Sequence, residues 1–447
     1  MMESFTESTN RDSIAILLPG SLSVDASSPS PSSTSTPDLY SEKNADPRMD
    51  GGPRAWATLV GGFLVTMVTF GYANAFGVYQ DIYTRSGTAS ASRISWIGST
   101  QVFFLLAMGL PAGKLLDMGY FHHTTLAGSV IFVTSLFMVS LAHHDQYYQI
   151  YLCQGLGIGI GAGLLYVPAM AIQAHHWRTR RALAMGIVIT GTSIGGIIFP
   201  IMLNQLFKGA IGFAWGVRAS AFLCLGLLAF ANVLMSTSPA ILSQSKPKPN
   251  FKVILMDVPY LLGAFSVLVA FWGFFFPYFY FQLFSIFHRV DFNIAFYTIS
   301  IMNASSFFGR IIPNHFADKL GPINCAIPLA LANGILIFAM FGINSVASAI
   351  IFSILYGFLS GAVLSLCAPI LATFARDPSE IGVRFGVAFF IASFGALTGP
   401  PIIGDLLGSR FQWYKAIVFS AVVVILGALL LIPVRYMVVK RKGTQLV

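Results

Sequence analysis

Twelve long apolar runs determine what this chain can fold into. Each run is long enough to cross about 30 Å of hydrocarbon, which takes roughly 20 helical residues. We number the runs as spans 1 to 12 and place them at about 55–80, 94–116, 124–142, 148–172, 182–207, 213–235, 258–284, 293–314, 322–342, 346–372, 384–407 and 412–434. Because 55% of the residues are hydrophobic and only 10% are charged, a water-soluble core could not bury this much apolar surface. The sequence therefore predicts an all-α membrane protein with twelve transmembrane helices.

The polar stretches between the runs divide the chain into five parts. Residues 1–50 are rich in Ser, Thr and Pro, and such a composition cannot bury enough surface to offset chain entropy. We therefore predict a disordered cytoplasmic tail there, followed by an N-terminal six-helix bundle at 51–235. A cytoplasmic linker is predicted at 236–257, a C-terminal six-helix bundle at 258–435 and a basic cytoplasmic tail at 436–447.

Lysines and arginines are distributed unevenly between the two sets of loops. The loops on the side of both termini hold Lys114, Arg178, Arg180, Arg181, Lys246, Lys248, Lys252, Lys319, Arg376, Lys440, Arg441 and Lys442. The opposite loops hold chiefly Arg85, Lys208, Arg289, Arg410 and Lys415. The positive-inside bias then predicts that both termini are cytoplasmic. We expect a multi-pass protein of the plasma membrane, with the vacuolar membrane as the alternative.

The two halves resemble each other at an offset of 200 to 202 residues. The segment from Gly113 through Asp117 to Gly119 matches the segment from Asn314 through Asp318 to Gly321. Further matches at the same offset pair Ser193 with Ser393, Gly195 with Gly395, Pro200 with Pro400 and Pro168 with Pro369. Several matches at one spacing indicate a duplicated six-helix unit, which predicts two related bundles with a site between them.

Arg310 lies inside span 8, and a cation there needs a partner or a wetted cavity. An arginine near the centre of a bilayer costs at least about 3 kcal/mol on insertion scales. Its duplicate position in the first half is Gly109, and this asymmetry favours a functional role. The planar guanidinium suits a carboxylate or a similar anion. The alternative is a side chain that snorkels to the cytoplasmic face or pairs with a loop acid.

Arg310 shares one helical face with Asn303 and Ser306, at spacings of three and four residues. We predict that this polar stripe lines a cavity. Asn74 in span 1 is predicted to face the same cavity, with an interhelical hydrogen bond as the alternative. Tyr166, just before Pro168, is predicted to present its phenol to the pathway, and structural packing is the alternative. Phe276, in the aromatic stretch of span 7, is predicted to line the cavity, and an interfacial belt is the alternative.

Several segments carry a resemblance to a known family: Asp50-Gly51-Gly52 with Trp56, Phe70 to Tyr79, Gln154 to Gly157, Tyr166 to Pro168 and Arg180 to Gly186. Over residues 51–435 the chain resembles the major facilitator superfamily, and more narrowly the fungal members of its monocarboxylate-porter-like branch. The resemblance implies two bundles that rock around a midplane site. Where the animal porters carry a lysine in span 1 and an aspartate in span 8, this chain has Asn74 and Ser306. It keeps the arginine, as Arg310.

Asp117 and Asp318, together with Arg181 and Arg384 at the start of spans 5 and 11, are predicted to form a cytoplasmic gate. Loop charges of this kind can hold two bundles together in one conformation and separate in another. In the family that the chain resembles, such segments have this role. The alternative is that these charges only set the orientation of the loops in the membrane.

These features predict a secondary transporter or facilitator of a small organic anion, such as a monocarboxylate, working by alternating access. Its expected partners are a small-molecule substrate and the lipid bilayer. The sequence neither predicts nor excludes a proton that is transported together with the substrate. The net charge of +9 comes in short clusters, which argues against a nucleic-acid partner. We predict no enzyme activity, cofactor or metal site, because no catalytic, nucleotide-binding or metal-ligand pattern is found. The alternatives are an exporter of an apolar or aromatic metabolite, and a nutrient receptor that keeps the fold without transport.

Overall fold

The computed structural model describes residues 51–447, except residues 88, 90, 144–145, 238–250, 289, 376–379 and 409–410. The predicted tail at 1–50 and most of the predicted linker therefore lie outside the described residues. Within the described part of the chain all regular secondary structure is helical. This agrees with a chain surrounded by lipid, because a helix satisfies its backbone hydrogen bonds within one segment.

The helices of the first half follow the predicted spans, and we keep the span numbers. The bounds are Pro53–Ala73 and Phe76–Arg85 for span 1, Ala91–Ala107 and Gly109–Asp117 for span 2, Phe121–Val139 for span 3, Tyr147–Ile150, Tyr151–Gly157, Ile158–Ala171 and Ile172–His175 for span 4, Arg181–Lys208 for span 5 and Gly212–Leu234 for span 6. Residues 151–157 of span 4 form a π-helix and residues 172–175 a 3₁₀-helix.

The second half repeats the same order. A short helix at Phe251–Leu255 precedes the spans, whose bounds are Val258–Phe274 and Phe276–Phe287 for span 7, Phe292–Leu320 for span 8, Pro322–Phe338 and Ala339–Gly342 for span 9, Val346–Phe374 for span 10, Ile381–Leu407 for span 11 and Trp413–Lys442 for span 12. Span 12 thus continues as one helix past residue 435, where we placed the start of the tail.

Eleven of the helical segments in the described chain are long and apolar enough to cross a membrane. Span 8 is not among the eleven, although its helix has 29 residues. The reason lies in its composition, because it carries Arg310, Asn314, Asp318 and Lys319 among its apolar residues. Neighbouring helices bury Arg310 and Asn314, whereas Lys319 is exposed. The fold is the predicted two bundles of six helices.

The two bundles meet along two pairs of spans. Span 5 packs against span 8, and span 2 packs against span 11. Glycines allow the backbones to approach closely in both places. A Cβ atom on Gly186 would lie 2.5 Å from the carbonyl oxygen of Arg310, and one on Gly113 would lie 2.0 Å from that of Gly382. Neither glycine can be enlarged while this packing is kept.

Candidate functional site

A cavity of about 240 Å³ lies between the two bundles. Arg310 and Asn303 line it near the middle of span 8, and Gln80, Ser95 and Gln282 line it toward the far end. Ser95 lies at the opposite end of span 2 from Asp117. The cavity therefore extends from the centre of the protein toward the side away from Asp117 and Asp318.

Aromatic rings make up much of the cavity wall. They come from both bundles: Phe70, Phe76, Phe274, Phe275, Tyr278, Phe279 and Tyr280. Among the described residues, the lining contains no Asp, Glu or His. The cavity thus combines apolar ring surface with amide and hydroxyl groups and with one cation.

Interruptions in two symmetry-related spans bring these rings to the cavity. Span 1 breaks between Ala73 and Phe76, and span 7 breaks at Phe275. The residues that precede the second helices, Ala75 and Phe275, are 200 residues apart. Pro277 follows the second break and lacks the N–H that would continue the helical hydrogen bonds. Broken helices near the midplane are a feature of transporter binding sites.

Arg310 is 3% exposed and its guanidinium is only partly satisfied. Its Nη1 donates to the carbonyl oxygen of Ile189 in span 5 at 2.6 Å. Its Nε is buried and has no hydrogen-bond partner. The phenols of Tyr166 and Tyr278 lie within electrostatic range of the guanidinium. A buried donor without a hydrogen-bond partner costs free energy. The Nε–H group of Arg310 is therefore suited to donate to an anionic oxygen of a ligand in the cavity.

The polar stripe of span 8 also joins the two bundles. Ser306 and Ser193 of span 5 share a hydrogen bond of 2.7 Å between their hydroxyls. Asn303 Nδ2 donates to the carbonyl oxygen of Gly196 at 3.4 Å and to that of Ile299 at 3.1 Å. The stripe therefore serves the interface between the bundles as well as the cavity.

The structure brings some of the predicted site residues to the cavity and not others. Arg310, Asn303 and Asn74 line it. Ser306 is not among the lining residues, because its hydroxyl is turned to Ser193. Tyr166 is 1% exposed, with its ring 5.8 Å from that of Phe70 and 6.1 Å from that of Phe389, which makes a contact between the bundles.

Phe276 is fully buried and packs against Tyr280, with ring centroids 5.9 Å apart. Its neighbours Phe275 and Tyr278 line the cavity instead. Gln80 and Gln282 were not singled out from the sequence, although each lies on the second helix of an interrupted span. That shared position is the signal that could have identified them.

Asp117 and Asp318 each reach across to a helix start in the opposite bundle. Asp117 Oδ1 accepts from the N–H of Gly382 at 3.0 Å, and its Oδ2 accepts from that of Val383 at 2.6 Å. Asp318 accepts in the same way from Ala182 at 2.8 Å and Leu183 at 3.0 Å. A carboxylate is stabilised at a helix N-terminus by the free N–H groups and the helix dipole. These four bonds join the two bundles at one end of the protein.

The two arginines of the predicted gate have other partners. Arg181 Nε donates to the carbonyl oxygen of Trp177 at 3.3 Å. Arg384 is fully buried inside its own bundle, where it pairs with Asp257 at 3.0 Å and with Glu380 at 3.1 Å. Arg384 therefore fixes the start of span 11, whose amide groups bind Asp117, without contacting that carboxylate itself.

Known proteins similar to this chain are transporters. The family model described as Major Facilitator Superfamily matches residues 58–349. The chain is 39% identical over 393 residues to the aspyridones efflux protein apdF of Emericella nidulans, which covers 86% of this chain and 78% of that protein. It is 37% identical over 392 residues to the agnestins efflux protein AgnL12 of Paecilomyces divaricatus, covering 87% and 89%.

A solved structure supports the fold alone. The major facilitator transporter FucP in its outward conformation aligns with a TM-score of 0.64 at 13% identity, covering 84% of this chain and 97% of that one.

Proposed function

The chain belongs to the major facilitator superfamily, and we propose that it exports a small metabolite that carries an aromatic or other apolar body and one anionic oxygen. Transport proceeds by alternating access of the cavity between the two bundles. The observation that carries export is the similarity, at 37–39% identity over most of the chain, to two proteins named as efflux proteins.

The cavity supports the chemical class of the cargo. Seven rings contribute to its wall, and such a surface favours a flat apolar body. Arg310 supplies a buried donor without a partner, which favours an anionic oxygen. Asn74 and Asn303 can donate to or accept from neutral groups nearby. The cargo would then lie with its acidic end at Arg310 and its rings toward the mouth.

Uptake of a simple carboxylate is the second candidate. Arg310 favours this candidate, because it matches the arginine of the monocarboxylate-porter-like branch. The ring-lined wall and the named relatives favour the exporter. Proton binding inside the cavity is not part of the proposal, because no group among the described lining residues titrates near neutral pH.

The orientation proposed from the loop cations places both termini in the cytoplasm. The closed end with Asp117 and Asp318 is then cytoplasmic, and the cavity opens to the outside. In an exporter this is the conformation from which cargo leaves. We propose the plasma membrane as the location, since release there removes the cargo from the cell.

Flux measurements in both directions test the proposal. Proteoliposomes are loaded with a panel of aromatic acids, with their neutral methyl esters and with small aliphatic carboxylates, at two pH values. We expect net export of aromatic acids above that from liposomes without protein, and no such protein-dependent increase for the esters. Uptake restricted to small carboxylates would favour the second candidate. The absence of any flux across a broad panel would favour a receptor that keeps the fold without transport.

A further inference from the structure

One face of span 8 is polar from the cavity to the end of the helix. Its members follow one another at spacings of three and four residues: Asn303, Ser306, Arg310, Asn314 and Asp318. Arg310 lines the cavity, whereas Asn314, one helical turn further on, does not. Asn314 is fully buried. The polar face thus continues past the cavity toward the end of the protein where Asp318 lies.

Span 5 of the opposite bundle covers this polar face. Its residues make hydrogen bonds with four members of the face: Asn303, Ser306, Arg310 and Asp318. At Asn314, span 5 contributes Gly186 and no side chain, and a Cβ atom on this glycine would lie 2.9 Å from Cβ and Cγ of Asn314. Span 5 therefore has to move away before another molecule can reach Asn314.

The amide of Asn314 is held in one orientation by its own bundle. Its Nδ2 donates to the carbonyl oxygen of Arg310 at 2.7 Å and to Ser365 Oγ at 2.6 Å. Its Oδ1 is buried and has no hydrogen-bond partner among the described residues, which costs free energy. Because both partners of Nδ2 belong to the C-terminal bundle, this orientation is kept when the bundles separate. Movement of span 5 then exposes an acceptor whose position is already fixed.

The duplicated interface between spans 2 and 11 lacks such a face. At the offset of 201 residues, the first four members correspond to apolar residues: Val102, Leu105, Gly109 and Gly113. The polar face is therefore a departure from the duplicated pattern. Two buried atoms without a hydrogen-bond partner, Arg310 Nε and Asn314 Oδ1, both belong to it. Two such groups on adjacent turns of one helix indicate that the face binds a ligand as well as span 5.

We propose that Asn314 is a second cargo-binding residue, used when the end of the protein held by Asp117 and Asp318 is open. The inference rests on the proposed export function, because it needs a state in which spans 5 and 8 separate. In that state Asn314 Oδ1 accepts a hydrogen bond from an O–H or N–H group of the cargo, while Arg310 binds the anionic oxygen. The two residues are about 6 Å apart along the helix axis. The cargo then carries its donor group at roughly that distance from its acidic oxygen.

The same contact links the cargo to the movement of the bundles. Gly186 covers Asn314 while the bundles are joined at this end, so the cargo can bind Asn314 only in the open state. A ligand shifts an equilibrium toward the state that it binds better. A cargo with the donor group therefore stabilises the open state more than a similar molecule without it.

Two aromatic acids test the proposal on the purified full chain: 3-hydroxybenzoate, which carries a donor group, and 3-methoxybenzoate, which does not. Distances between spin labels on the ends of spans 2 and 11 report the ratio of open to closed protein. We expect 3-hydroxybenzoate to raise this ratio roughly two- to tenfold more than 3-methoxybenzoate does, which is the range that one hydrogen bond supplies. Equal shifts with both acids, or no shift with either, would overturn the proposal.

Two leucine variants separate the role of Asn314 from general effects on the bundle. Asn314→Leu should remove the difference between the two acids, because leucine has a similar size and no acceptor. The matched control is Asn333→Leu. Asn333 is another fully buried asparagine of the same bundle, but it lies on span 9, which packs against spans 8, 10 and 12. This control should keep the difference, and its loss in both variants would reject the assignment of Asn314.

The outcome is separate from that of the flux measurements. Net export of aromatic acids supports the proposed function whether or not a donor group matters. Equal behaviour of the two benzoates rejects only the role of Asn314. The comparison of the two acids on the natural protein does not depend on how either variant folds.

Discussion

The carboxylate of Asp117 accepts a hydrogen bond of 2.6 Å from the backbone N–H of Val383, across the boundary between the two bundles. Asp318 makes the equivalent contact in the opposite direction, with Ala182 at 2.8 Å. Each bundle thus supplies the acid that caps a helix of the other. The duplicated acidic segments are used symmetrically, and both contacts have to break before this end of the protein can open.

Replacing Asp117 by Asn should shift the protein toward the conformation in which this end is open. An amide lacks the negative charge that interacts with the helix dipole, and the loss of such a group costs about 1–2 kcal/mol. This corresponds to roughly a five- to thirtyfold change in the ratio of the two conformations. Distances between spin labels on the ends of spans 2 and 11 measure the shift. Asp405→Asn, at an exposed acid, should leave the distances unchanged.

Gly382→Ala should open the same end by a steric route. The added Cβ would lie 2.4 Å from the carbonyl oxygen of Gly113 and 2.5 Å from Asp117 Oδ1. Contacts this short force spans 2 and 11 apart. The same label distances should lengthen, and export should fall because the outward-facing state is no longer reached. The matched control is Gly226→Ala, where a Cβ meets nothing within 4 Å. If both variants behaved alike, the close packing of Gly382 would have no role in gating.

Arg310→Lys should lower export while leaving the protein folded. Lysine keeps the positive charge but loses the planar set of donors that serves both Ile189 and a ligand. A lost hydrogen bond to a charged group is worth about 1.5–3 kcal/mol, so the efficiency of transport should fall by roughly 10- to 100-fold. The initial rate of export at several cargo concentrations measures the effect, and thermal unfolding checks the fold. Unchanged rates would remove Arg310 from the cargo site.

Lowering the pH should destabilise the N-terminal bundle through His176. Its Nε2 lies 2.7 Å from the carbonyl oxygen of Ser236, and burial lowers the pKa of this imidazole below its usual value of 6.5. In the unfolded chain the imidazole takes up a proton more readily, so the stability from the neutral form is complete above about pH 6.5 and declines as the pH falls toward the lower folded pKa. The thermal midpoint should drop over this range, and His176→Gln should flatten the dependence. A variant with the same pH profile as the natural protein would exclude His176 as the cause.

The fold could be predicted from the lengths of the apolar runs, because the thickness of the bilayer fixes the length of a spanning helix. The run that ends near 434 shows the limit of this reasoning. Hydropathy marks where a helix leaves the hydrocarbon, whereas the helix itself continues to Lys442. The backbone has no reason to stop there, since lysine and arginine are good helix formers.

The candidate site could be predicted only in part, because a sequence does not fix how each helix is rotated. Phe275 and Phe276 are neighbours in the same aromatic stretch, yet one lines the cavity and the other is buried in the bundle. The interruption of span 7 at Phe275 decides which of them faces inward. The partner of Arg384 could not be predicted either, because Arg384 pairs with Asp257, which lies 127 positions away in the sequence. Arg310 stood out because a cation in an apolar run is rare.

The polar face of span 8 also has a consequence for biosynthesis. The other eleven spans have the length and hydropathy of membrane-crossing helices in the described part of the chain, while span 8 carries an arginine whose insertion costs about 3 kcal/mol. It therefore depends on partner helices already made, or made soon after, for its integration. Substitutions that make this face more apolar should raise the yield of inserted protein and at the same time erase recognition of the cargo.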